Sequence, residues 1–122
     1  MLYTSYFSNI KKLPKDIIPI SIAAKAPSWY NGYEYKVLAP SFSIFKEYKE
    51  TLNEEQYVSR YSYEILRKLN PHYIARDLLK LSNNKSFALI CYEKPDKFCH
   101  RHLVSFWLTF NGWACDEWRA PS

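Results

Sequence analysis

The stretch Phe87-Ala88-Leu89-Ile90-Cys91-Tyr92-Glu93-Lys94-Pro95-Asp96-Lys97-Phe98-Cys99-His100-Arg101-His102 decides the fold. Its opening apolar run is too short for a helix and is bounded by polar residues, so it reads as a buried strand. A charged loop containing Pro95 follows. The apolar series Leu103, Val104, Phe106, Trp107, Leu108 and Phe110 then predicts a helix over about 97–110, stopped at Asn111-Gly112. Cysteine, histidine and arginine therefore gather where a strand hands over to a helix N-terminus. In α/β folds that edge binds ligands, and its unpaired N–H groups favour anions.

Working outward, Leu2 to Phe7 reads as a first strand and Ile17 to Ile22 as a second. Pro19 donates no ladder hydrogen bond, which puts it at a strand start or an edge. Residues 23–40 contain Pro27, Gly32 and Pro40 and show no helical period, so they read as a long ordered loop. Ser41 is positioned to cap a helix over 42–49. Asn53 with Gln56 has the capping-box pattern and opens a helix through Tyr57, Tyr61, Ile65 and Leu69. Asn70-Pro71 is a cap with proline at the first helical position, followed by the stripe Ile74, Leu78, Leu79 and Leu81. Asn83-Asn84 reads as a turn, and Trp113 to Trp118 as a last short strand. The order predicts one α/β domain over residues 1–122. We expect a small three-layer fold with a mostly parallel sheet of about four strands flanked by helices. A helix between the last two strands should make them parallel neighbours with a right-handed crossover.

Length and composition limit the alternatives. The chain has 122 residues, of which 48% are hydrophobic and 24% charged, enough for a core and too ordinary for wholesale disorder. No apolar run approaches the roughly 20 residues of a membrane span, and the N-terminus lacks a secretory pattern. Three cysteines do not make a disulfide framework, so the expected compartment is the reducing cytoplasm. The net charge of +5 is dispersed, and eleven tyrosines read chiefly as core and rim.

The residues that carry chemistry cluster at the strand–helix junction. Cys99 at a helix start, near Arg101 and two histidines, would have its thiol pKa lowered, whereas a buried cysteine would be inert. Arg101 can clamp an anion in a bidentate manner or pair with Glu93 or Asp96 as a latch. His100 could serve in proton transfer, but adjacent helical residues face about a hundred degrees apart unless the helix begins after Cys99. Glu93 is a candidate base, and Cys91 alternates inward as core. Zinc is weighed and not adopted: the spacing of Cys91 and Cys99 is not a Cys-x-x-Cys knuckle, and Cys115 lies on another element. A phosphatase-type Cys-x5-Arg cradle would place Lys97 where arginine should stand, and two glycines in the chain cannot supply a phosphate loop.

Leu89-Ile90-Cys91-Tyr92-Glu93-Lys94-Pro95 followed by Cys99-His100-Arg101 resembles the signature of the family called domain of unknown function 488, found in bacteria and phages. Its members have an apolar strand ending in Cys-x-Glu and a Cys-His-Arg triplet opening the next helix. Tyr3-Thr4, Ser8-Asn9 and Ala26-Pro27-Ser28 extend the likeness. Many members end the second strand in Asp-Val-Arg, whereas this chain has Ser21-Ile22-Ala23-Ala24-Lys25, leaving Lys25 alone to supply a positive charge. The resemblance implies the strand–loop–helix placement and no particular reaction.

The resulting expectation is a cytoplasmic domain binding an anionic or nucleotide-like small molecule, with or without turnover. Cys99, His100 and Glu93 would be catalytic, Arg101, Lys25 and Trp29 would bind the ligand, and Trp29 to Tyr35 would form a lid. No metal, cofactor or membrane partner is expected. The competing expectations are a nucleic-acid-binding module using the dispersed charge, and a protein-interaction domain in which the triplet is structural.

Overall fold

A computed structural model describes residues 1–121. Strands β1 (Leu2–Tyr6), β2 (Ile18–Ser21), β3 (Tyr33–Glu34), β4 (Phe87–Cys91) and β5 (Cys115–Glu117) form one sheet in the order β3-β2-β4-β1-β5. Every pairing is parallel. Helices α1 (Phe42–Thr51), α2 (Glu54–Glu64), α3 (Pro71–Leu81) and α4 (His100–Phe110) complete the α/β fold, with 3-10 turns at Phe7–Lys12, Lys36–Leu38 and Leu66–Lys68.

All five residues of β4 are buried, as a central strand requires. Phe87 and Leu89 project into the larger core, where Ile44, Tyr57, Tyr61, Ile74, Leu78, Val104 and Leu108 bring in all four α-helices. Ala88 and Ile90 project to the other face, where Phe7 and Ile17 cover them, with Tyr3, Tyr30 and Trp118 packed at the rim. The second covering layer is therefore a 3-10 turn and aromatic loops.

The expected neighbourhood of the last two strands needs correction. β5 pairs with β1, Leu2 opposite Cys115, and β1 pairs with β4, Leu2 opposite Phe87. β1 thus lies between β4 and β5, so the connection through α4 spans two strand positions. The long loop also holds more structure than expected: Tyr33 and Glu34 extend β2 as a short edge strand. Pro19 sits inside β2 without loss. Ile18 and Ile22 donate to Ser86 and Ile90 on the β4 side (2.9 and 3.0 Å). By alternation the Pro19 nitrogen faces the other way, beyond the reach of β3.

The helix starts follow local chemistry. Ser41 Oγ accepts from the Ile44 N–H (3.2 Å) and Asn53 Oδ1 from the Gln56 N–H (3.0 Å). Asn70 Oδ1 accepts from the His72 and Tyr73 N–H groups (2.9 and 3.4 Å) ahead of Pro71. Asn70→Ala should lower stability by about 1 kcal/mol, read as a shift of the urea midpoint without change of slope. An unchanged midpoint would show that water replaces the cap. α2 stops at Glu64, short of the expected Leu69, and the chain tightens into the 3-10 turn. Gly112, at φ 91°, takes the left-handed conformation that ends α4.

Candidate functional site

β4 delivers Cys91 to the carboxyl edge of the sheet, and α4 begins at His100 with Cys99 as its N-cap. The helix therefore starts after Cys99, the condition under which Cys99 and His100 can face one another. His100 Nδ1 lies 3.9 Å from Cys99 Sγ. The loop 92–98 folds back so that Cys91 and Cys99 are joined by a disulfide. Among the described residues Cys115 is the one free cysteine, and burial pushes its thiol pKa up to about 12. Three cysteines are expected to make no disulfide framework, and among the described residues there is this single bridge. Cys91, read as plain core, is a member of the site.

Among the described residues Arg101 is the most enclosed charge, with no exposed surface. Its Nε and Nη2 donate to Glu117 Oε1 and Oε2 (3.0 and 2.9 Å) in a fork. Nη1 donates to the Glu93 carbonyl (2.6 Å) and to Cys91 Sγ (3.1 Å). Of the two expected roles, anion clamp and latch, this geometry is the latch, and its acid is Glu117. Burial alone would raise the Glu117 pKa. The Arg101 and Thr4 hydrogen bonds and the Arg101 charge outweigh burial and hold it below the usual carboxylate range.

His100 is also buried. Its Nε2 lies 2.7 Å from the Ile22 carbonyl, and its ring packs edge-on against Tyr61. A carbonyl only accepts, so Nε2 carries the proton and the Nδ1 lone pair points toward Cys99. Burial lowers the His100 pKa to about 4, with the Arg101 and His102 charges adding to it and the Ile22 hydrogen bond opposing. His102, one position past Arg101, has a buried Nε2 without a hydrogen-bond partner.

The remaining expected residues lie at the rim. Glu93 is exposed, and only its carbonyl enters the network. Lys25 and Trp29 are exposed on the loop after β2. They meet the β4 loop through Tyr92, whose hydroxyl donates to the Lys25 carbonyl (2.5 Å). Phe7 joins the two segments, its ring centroid 4.8 Å from Tyr92 and 6.1 Å from Trp29. Two surface grooves lie elsewhere, one between α2 and α4 and one between β3 and α3.

Alternation did place Cys91 inward, and that was the available signal for its meeting α4. Glu117 carries no local signal: it stands 16 residues from Arg101 on a strand that pairs with β1 and not with β4. No helix of the described residues is long and apolar enough to cross a membrane. No curated protein and no solved structure matches the chain. A family model described as "Active DUF488-N3 subclade" matches residues 11–112, which include the whole strand–loop–helix segment. With most of its length so matched, the chain belongs to the family of domain of unknown function 488.

Proposed function

We propose that this chain performs thiol–disulfide exchange on a small anionic ligand, with Cys91 and Cys99 as the reacting pair. The observation that carries the reading is the disulfide at the sheet's carboxyl edge, with an Arg101 N–H 3.1 Å from Cys91. A guanidinium N–H favours the thiolate at Cys91, and the α4 N-terminus favours it at Cys99. An incoming thiolate attacks one sulfur, forms a mixed disulfide and releases the other cysteine as thiolate. A second ligand thiolate then attacks the ligand sulfur of that mixed disulfide and expels the remaining cysteine as thiolate, leaving the protein dithiol and a ligand disulfide, so two electrons pass to the protein. The reverse sequence oxidises the protein.

Arg101 acts by position, fixing Cys91 and the loop. His100 orients Cys99, and Glu93 takes or gives the proton of a departing thiol at the rim. Lys25 and Trp29 form the approach, Lys25 meeting the negative charge and Trp29 a flat or apolar portion. In support of that approach, Tyr92 links both segments through the Lys25 carbonyl and the Phe7 ring. The description of the matched subclade as active accords with a working site.

The test uses oxidised glutathione, a small anionic disulfide, on the fully reduced protein, followed by peptide mapping. The Cys91–Cys99 link should form and Cys115 should stay free. Cys99→Ser should instead retain a glutathionyl adduct on Cys91, because no second thiol resolves it. A reduced protein whose thiols all survive the treatment would overturn the reading.

A further inference from the structure

Cys91 Sγ, Cys99 Sγ and a His100 ring nitrogen lie within 4.8 Å of one another, and all three residues are buried. We propose that, once the two cysteines are reduced, these side chains bind one zinc ion and leave its fourth position open. The inference rests on the pair being reducible, as in the function proposed above.

The donor set comes first. Two thiolates and one imidazole are the S/N ligands that select tetrahedral zinc over the harder divalent ions. The imidazole already has the required tautomer: Nε2–H is spent on the Ile22 carbonyl at 2.7 Å, which leaves the Nδ1 lone pair facing the thiols. A ligating histidine usually donates its second nitrogen to such an outer partner.

Distances agree. Bonds of about 2.3 Å to sulfur and 2.0 Å to nitrogen hold tetrahedral ligand atoms roughly 3.5–3.8 Å apart. His100 Nδ1 and Cys99 Sγ are 3.9 Å apart. The Cα atoms of Cys91 and Cys99 are 7.3 Å apart. That separation leaves room for two sulfurs set apart around an ion once the bond is reduced.

Charge also closes. Two thiolates neutralise a divalent cation. Arg101, the nearest positive group, is already matched by Glu117 at 2.9 Å and offers Cys91 an N–H as an outer-shell donor. Binding releases the two thiol protons. A disulfide reagent that oxidises the zinc-bound pair takes up two electrons, forms the Cys91–Cys99 bond and frees the ion. Three protein ligands and one open position is the arrangement of zinc sites that admit a ligand, here a water or the anionic thiol of the exchange.

The experiment is titration of the full chain, reduced or oxidised, with Zn2+ against a chromophoric chelator, and with Co2+ read by absorption. The reduced protein should bind one ion and show a thiolate-to-cobalt charge-transfer band, and the oxidised protein neither. His100→Gln should weaken zinc by more than the roughly 10–100-fold that outer-shell changes cost. Should that variant fail to fold, the comparison of the two wild-type redox forms decides alone. Equal binding by the two forms, or no cobalt–thiolate band, would overturn the site. A reduced protein that exchanges with glutathione yet binds no ion removes the zinc inference and leaves the exchange function. One that binds the ion yet never forms the disulfide does the opposite.

Discussion

Arg101→Ala should lower folding stability by about 3–5 kcal/mol, the loss expected when one member of a buried ion pair is removed. The guanidinium has no exposed surface, and the Glu117 side chain is only 11% exposed. Four groups depend on it: both Glu117 oxygens, the Glu93 carbonyl and Cys91 Sγ. The side chain therefore ties α4 to the end of β4 and to β5, and through the Thr4 hydroxyl, which donates to Glu117 at 2.7 Å, to β1. Alanine leaves the Glu117 carboxylate buried without its counter-charge and the Glu93 carbonyl without its donor. A domain of this size has roughly 5–15 kcal/mol of stability in total, so the variant should sit near its folding limit.

Arg101→Lys keeps the charge and loses the fork, and its cost should fall in between. Replacing both partners, Arg101→Met with Glu117→Leu, should cost less than the two single changes summed, because no charge is stranded. Urea unfolding of the four proteins gives the coupling. A loss below about 1 kcal/mol in Arg101→Ala would mean that the latch carries no weight. The pair also fixes an acid limit. The folded Glu117 pKa is depressed, so its contribution is present above the ordinary carboxylate range and fades as pH falls through the folded value.

The sequence shows most clearly what local chemistry decides. Ser41, Asn53 and Asn70 start helices because a side-chain oxygen two or three residues upstream meets a free N–H, a contact wholly contained in the motif. Phe87 to Cys91 declares a central strand because both faces must be apolar. Strand order is a different matter. β5 would satisfy its backbone beside either β4 or β1, and only the placement of the first strand excludes β4. Tyr33-Glu34 is too short to show a period and lies at an exposed edge. The site divides in the same way. Its location at the junction was legible, whereas its bonds depend on where loop 92–98 returns. Glu93 and Asp96 were the nearest acids in sequence, but the fork closes on an acid carried in by β5.

Acid should destabilise the protein well above the carboxylate range, and His100 is the cause. In the disulfide form, with chelator present, His100 is a neutral ring buried to 6% exposure. The groups facing it are the Tyr61 ring, the Ile22 carbonyl and Cys99 Sγ, with the Arg101 and His102 charges adjacent. Burial and those charges depress its folded pKa to about 4, from 6.5 in the open chain. Below 6.5 the unfolded chain takes up a proton that the folded protein refuses. The stabilisation is therefore complete above 6.5 and is lost as pH falls toward 4. At about 1.4 kcal/mol per pH unit, the full loss is roughly 3 kcal/mol. Most of it should be seen by pH 4.5, where the carboxylates, Glu117 included, also begin to contribute, so the comparison of variants isolates the His100 share. His102 is lowered too, chiefly by burial, and adds a loss of the same sign, so His102→Gln serves as the control. His100→Gln preserves a donor toward Ile22 and has nothing to titrate, so its stability should be flatter between pH 6.5 and 4.5 by the His100 share. Parallel pH–stability curves for that variant and the wild type would show that His100 is not the buried neutral group on which this dependence is built.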